Sequence, residues 1–197
     1  MLKINLASLI GYTGIIIILI SAFSLGFQLT GKVIDSNSRV NITISSVVSI
    51  NFTIDSIDFG GGSVNLGSAN ATVDTLGNVI NGNWTSTTQG FVLENIGNSN
   101  LTLNLKSGKT SAEFLGGTTP AYQYNVTNYE TGSCTQADVV LGTWKEVNTI
   151  GDGDLICNPF GFLESANSVY IDLRLVIPSD ARIGASSDVF TATGTSI

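Results

Sequence analysis

The sequence predicts a mostly β protein: a single Ig-like antiparallel β-sandwich of about nine to eleven strands, preceded by one N-terminal hydrophobic helix. An uncharged apolar stretch at residues 6–27 predicts the helix. Behind it, apolar and polar side chains alternate with a period of two, and turns rich in Gly and Asn separate the alternating runs. We therefore expect two parts, a hydrophobic segment at residues 1–26 and a β-sandwich domain at residues 27–197.

The N-terminal segment predicts export. An apolar run of about 22 residues is long enough to cross the hydrocarbon core of a bilayer as a helix. Lys3 precedes the run and the next basic residue is Lys32, so the positive-inside rule sends the body out of the cytoplasm. Small residues at positions 21–26 suit a cleaved signal peptide, whereas the length of the run suits a retained membrane anchor or a pilin-like shaft. We expect a secreted or cell-surface protein, with membrane contact through residues 6–27 if they are kept.

The first alternating run covers residues 40–55. Its even positions are mostly Val, Ile and Phe and its odd positions mostly Asn, Thr and Ser, which predicts strands with one face in a core and one in water. A bend is expected at Ser45 and Ser46. Ile57 and Phe59 continue in the opposite phase, before three consecutive glycines end the run.

Later runs predict the remaining strands. Residues 91–93 and 101–105 flank a polar loop and predict a hairpin. Residues 122–126 form the next alternating face, and residues 169–177 form the longest one, which a proline ends. A last strand is expected at residues 188–193. Because there is no fixed-period repeat and no Pro-rich linker, we predict one folded domain, for which a β-barrel is the structural alternative to the sandwich.

Composition argues against nucleic acid binding and against catalysis. The net charge is −7, whereas a protein that binds phosphates needs a positive face. Histidine is absent, which removes the most common general base and metal ligand. Asp152 and Asp154 are similar to the start of a calcium loop, but the residues around them lack the required ligand spacing, so turn formation explains them better. We predict a non-enzyme with no catalytic residue, no metal and no cofactor.

Cys134 and Cys157 are the two cysteines of the chain. In an exported protein an even cysteine count indicates a disulfide. The alternative is a pair of buried free thiols.

Six Asn-x-Ser/Thr triplets are candidates for N-glycosylation in an exported chain. They begin at Asn41, Asn51, Asn70, Asn83, Asn100 and Asn125. Chance alone yields several such triplets in a sequence so rich in Asn, Ser and Thr. Their placement adds weight, because each lies either in a predicted turn or loop or on the polar phase of a predicted strand.

Several short motifs of the body resemble a known family. They are residues 50–53 (INFT), 57–60 (IDFG), 91–98 (FVLENIGN) and 177–181 (IPSDA). These motifs resemble those of exported archaeal surface proteins with Ig-like sandwiches, whose broader kin look like subunits of extracellular filaments, including pili and threads joined by donor-strand exchange. The resemblance implies a fold and a location, and it brings no active-site residue.

These observations predict a non-enzymatic structural subunit of the cell surface, most readily a filament protein whose partners are copies of itself. In donor-strand exchange an extended segment fills a groove of the next subunit, and we expect residues 27–44 to be that segment. Packing of the N-terminal helices is the other route to a filament. The alternative function is a membrane-anchored adhesion or carbohydrate-binding module that contacts glycans or other cells. Its candidate aromatic residues are Trp84, Tyr122, Tyr124 and Trp144.

Overall fold

The structure is a computed structural model that describes residues 41–197. The predicted N-terminal helix and most of the predicted donor segment lie outside the described residues. Eleven strands and one short helix follow one another as β1 (Ile50–Ile54), β2 (Asn70–Asp74), β3 (Val79–Ile80), β4 (Phe91–Asn95), β5 (Leu101–Ser107), α1 (Ser111–Phe114), β6 (Ala121–Asn128), β7 (Cys134–Gln136), β8 (Lys145–Glu146), β9 (Asp154–Phe160), β10 (Ser168–Pro178) and β11 (Phe190–Ser196). Every strand pair is antiparallel, so the prediction of a mostly β chain with antiparallel sheets is confirmed. No helix within these residues is long and apolar enough to span a membrane.

The larger sheet is built around β10. One edge of β10 pairs first with β4 and then with β2, and its other edge pairs with β6. Strands β1, β3 and β8 extend the sheet beyond β4, β2 and β6 respectively. The side chains that point inward from β10, from Val169 to Leu175 at every second position, are buried. The long alternating run of the sequence therefore forms the central strand of this sheet.

The smaller sheet has the order β11-β5-β9-β7. Leu101, Leu103 and Leu105 of β5 are buried in the same hydrophobic cluster as the inward side chains of β6 and β10. The ring of Phe190 in β11 lies 5.7 Å, between centroids, from Phe91 of the larger sheet. Two antiparallel layers thus share one core, which is consistent with a β-sandwich.

The predicted hairpin between β4 and β5 is wrong. Strand β4 belongs to the larger sheet and β5 to the smaller, so the chain crosses between the layers after Asn95. Asn95 is buried at this corner, where its Nδ2 donates to the carbonyl oxygens of Ser99 (3.1 Å) and Gly161 (2.9 Å). Its Oδ1 accepts a hydrogen bond from the Gly97 amide at 3.0 Å. These bonds satisfy a backbone that leaves one sheet for the other, a need that an alternating pattern does not reveal.

The predicted strand over residues 40–55 forms only at Ile50–Ile54. Residues 41–49 have no regular secondary structure. The amide of Val47 donates to Oδ1 of Asn98 at 2.6 Å, and the carbonyl oxygens of Val47 and Ser49 accept from the amides of Asn98 and Ile96, so residues 47–49 run along the β4–β5 connection. Ile44 is 80% exposed, although its alternation predicts a buried face.

Candidate functional site

A groove with a volume of about 1010 Å³ lies against the inner face of β10, with apolar side chains on its β10 side and polar residues such as Asn65 and Arg182 elsewhere in its lining. Leu173, Leu175 and Ile177 of β10 line it. Its aromatic lining includes Phe91 of β4, Phe114 of α1, Tyr122 of β6 and Phe190 of β11. No residue of β5, β7 or β9 lines the groove, and within the described chain β11 pairs with β5 alone. The groove therefore lies beside β11, the edge strand of the smaller sheet, where β5, β7 and β9 do not cover the larger sheet.

Helix α1 positions the Phe114 side of the groove. The Thr110 hydroxyl accepts from the Glu113 amide at 3.3 Å, and the Thr110 amide donates to the Glu113 carboxylate at 2.8 Å. The hydrogen bonds that the amide of Thr110 and then its hydroxyl donate to the Glu113 carboxylate lower the pKa of Glu113. The resulting capping box starts the short helix and brings Phe114 onto Tyr122, with 4.7 Å between the ring centroids. Sequence reasoning missed this helix, and the Thr-x-x-Glu spacing was the signal that could have found it.

The loop after β10 forms a well-anchored wall. Asp180 accepts hydrogen bonds from the amide of Thr118 at 2.9 Å and from its hydroxyl at 2.7 Å, and these bonds lower the pKa of Asp180. The Arg182 amide donates to the Leu115 carbonyl at 2.9 Å. This wall is thus tied by hydrogen bonds to the connection between α1 and β6.

Two polar side chains of the groove lining, Tyr122 and Asp188, are paired with each other. The Ser107 hydroxyl donates to Asp188 at 2.6 Å, and the hydroxyl of Tyr122 lies against the same carboxylate. Burial, followed by the Asp188 charge, raises the pKa of Tyr122, so its phenol stays protonated. Because these two groups are paired, the side of the groove formed by Leu173, Leu175 and Ile177 is left for an apolar occupant.

Two exposed aliphatic side chains belong to the groove lining. Ile183 in the anchored wall is 99% exposed, and Leu66 is fully exposed. Exposed aliphatic side chains around an apolar concavity are typical of an interaction surface.

The four candidate aromatic residues for glycan binding do not share one face. Trp84 and Tyr122 line the groove, where Gly62 and Gly82 leave room for the indole ring. Tyr124 is 1% exposed, and its hydroxyl donates to Asp154 at 2.6 Å. Trp144 instead carries the Arg174 guanidinium 4.6 Å from its ring centroid.

The predicted cysteine pair is a disulfide between β7 and β9. Cys134 is 4% exposed and Cys157 is fully buried, so the bond lies inside the smaller sheet's side of the core. A disulfide indicates that the chain folds in an oxidising compartment. Within residues 41–197, no three His, Cys, Asp or Glu side chains form a group that could hold a metal ion.

The six sequons differ in accessibility. Asn125 is 6% exposed, because it lies in β6 opposite Asp172 of the central strand. A buried amide cannot be reached by a glycosylating enzyme in the folded protein. The five exposed candidates are Asn41, Asn51, Asn70, Asn83 and Asn100.

Comparison with known proteins gave no match: no family model, no curated protein and no solved structure is significantly similar to this chain. Its function must therefore be inferred from the groove and the strands around it.

Proposed function

We propose that this protein is a non-enzymatic structural subunit of the cell surface, with an Ig-like body that polymerises into an extracellular filament. The observation that carries the proposal is the groove along the apolar side chains of β10, next to a strand, β11, that has one partner among the described residues. A groove of this kind can receive an extended segment that supplies both apolar side chains and backbone hydrogen bonds.

The segment at residues 27–44 of a neighbouring copy is the proposed occupant. Of this segment, the structure describes residues 41–44, in which Ile42 and Ile44 are 82% and 80% exposed. Asn41 and Thr43 alternate with them, so a strand formed here would present an apolar face to a groove and a polar face to water. Head-to-tail insertion repeats without closing, which produces a filament.

Export supports the same proposal. The disulfide indicates an oxidising compartment, and the apolar start of the sequence predicts passage across a membrane. Both agree with the resemblance to exported archaeal surface proteins. Packing of the N-terminal helices remains the other proposed route to a filament.

Electron microscopy and sedimentation of the purified full-length protein test the proposal. Ile183→Asp is expected to weaken or abolish filaments, because it puts a charge on the groove rim, and its wild-type exposure of 99% makes a folding defect improbable. Ile150→Asp is the matched control, since Ile150 is 79% exposed and does not line the groove.

The donor is tested in the same way. Ile42→Asp with Ile44→Asp is expected to leave monomers, whereas Asn41→Asp with Thr43→Asp, which charges the polar phase of the same segment, is expected to leave filaments intact. Equal assembly by the Ile183→Asp and Ile150→Asp proteins would contradict the role of the groove. A wild-type protein that stays monomeric under all conditions would contradict the filament itself.

A further inference from the structure

Residues 55–62, which we call the strap, form the wall of the groove that is not held by backbone hydrogen bonds. The strap begins where β1 ends at Ile54, and it ends before Ser63, whose amide donates to Oδ1 of Asn83 at 2.6 Å. Within the described chain, no backbone group of the strap is hydrogen-bonded to another backbone group. Within the described residues, the one hydrogen bond donated by a backbone amide of the strap runs from Gly60 to Oδ1 of Asp58 at 2.7 Å.

Two side chains hold the strap in place. Ile57 and Phe59 are partly buried against the hydrophobic core and line the groove, while Asp58 between them is exposed. This alternation is that of a strand with one apolar face, although no strand forms. The strap thus fills part of the groove with apolar side chains without making a ladder.

The two walls of the groove therefore differ in stability. The wall after β10 is tied by Asp180 and Arg182 to the α1–β6 connection, whereas the strap has side-chain packing alone. Segments with few hydrogen bonds open with low free energy. Gly60 has a φ of +66°, and a Cβ at Gly60 or Gly61 would meet no atom within 4 Å, so the strap has room to turn at these two residues, whereas Gly62 packs against the Trp84 ring.

We infer that the strap is a displaceable plug, which covers the groove in the free subunit and leaves it when a second copy inserts residues 27–44. This inference rests on the proposed function. The exchange replaces Ile57 and Phe59 by the incoming Ile42 and Ile44, so apolar contact is conserved. The incoming segment gains hydrogen bonds along β11 that the strap does not make, and these bonds give the exchange its direction.

Maleimide labelling of single-cysteine variants of the full chain tests the inference. Both native cysteines are in the disulfide, so an introduced cysteine is the one free thiol. The probe is a synthetic peptide of residues 27–44 added to the free subunit, with assembled filaments as the second sample. For Ile57→Cys we expect labelling to rise by about tenfold or more on peptide addition, because a site that opens transiently becomes permanently open. For Ile177→Cys, under the occupant, we expect labelling to fall.

The outcomes separate the two proposals. If Ile177→Cys becomes protected while Ile57→Cys stays protected, the groove is filled and the strap is not displaced, so the inference is wrong and the filament proposal stands. If neither rate changes and no filament forms, the donor-strand route itself is wrong. Chymotrypsin cleavage after Phe59 of the wild-type protein needs no substitution. It should be faster in filaments than in monomers, and an equal or slower rate would overturn the inference.

Discussion

Replacement of Asn95 tests the physical account of the crossing between the two sheets. Asn95 is fully buried, and its side chain makes hydrogen bonds to the Ser99 carbonyl, the Gly161 carbonyl and the Gly97 amide. A buried hydrogen bond contributes about 1 kcal/mol, and more if its partner is left unpaired. We therefore expect Asn95→Ala to lower the free energy of unfolding by about 3 kcal/mol, a large share of the roughly 5–15 kcal/mol of a typical domain.

Asn95→Asp sharpens the test. The carboxylate keeps the acceptor for the Gly97 amide. In the wild-type protein the carbonyl oxygens of Ser99 and Gly161 accept hydrogen bonds from Nδ2 of Asn95 at 3.1 Å and 2.9 Å, and in the variant a carboxylate oxygen faces them instead. We expect Asn95→Asp to be less stable than Asn95→Ala, since a buried charge faces two acceptors. Equilibrium urea unfolding followed by Trp fluorescence measures both.

Asn104→Ala on β5 is the matched control for these substitutions. Its side chain is partly exposed and makes no hydrogen bond within residues 41–197, so we expect a change within about 0.5 kcal/mol. An Asn95→Ala protein within about 1 kcal/mol of wild type, or an Asn95→Asp protein more stable than Asn95→Ala, would refute the reasoning.

Three further predictions concern the core and the surface. Replacing Cys134 and Cys157 by Ala should lower the free energy of unfolding by about 3 kcal/mol, measured by urea unfolding, because the disulfide closes a loop with a sequence separation of 23. Burial of Asp154 acts to raise its pKa, but hydrogen bonds, the strongest of them from Lys145, outweigh burial and lower the pKa. The ionised Asp154 therefore stabilises the fold at neutral pH, and this stabilisation is lost as pH falls below about 4. Burial raises the pKa of Asp172, so its contribution has the opposite sign: stability is lost as pH rises through the folded-state pKa. Urea unfolding at pH 7 should accordingly show Asp154→Asn less stable and Asp172→Asn more stable than wild type, and the same sign for both would contradict the assignment. Glycopeptide mass spectrometry of the native protein should find Asn125 unmodified, and a glycan there would show that β6 is accessible.

Local patterns in the sequence carried much of the fold. The alternation at residues 122–126 and 169–177 correctly marked the buried faces of β6 and β10, because the side-chain period of a strand is a property of the strand itself. The same reasoning failed where a neighbour decides the outcome. Asn125 lies on the polar phase of β6, opposite Asp172 of β10, and is nevertheless buried.

The sequence by itself determined which residues are apolar along each strand and that the chain is rich in antiparallel strands. Only the tertiary structure decided which strands are neighbours: it separated β4 from β5, left Ile44 exposed, and joined β4, α1, β6, β10 and β11 around one groove. The physical reason is that periodicity describes which face of a strand seeks cover. The side chains that cover this face come from residues distant in the chain, so a gap in the cover, such as the groove, is visible only in the tertiary structure.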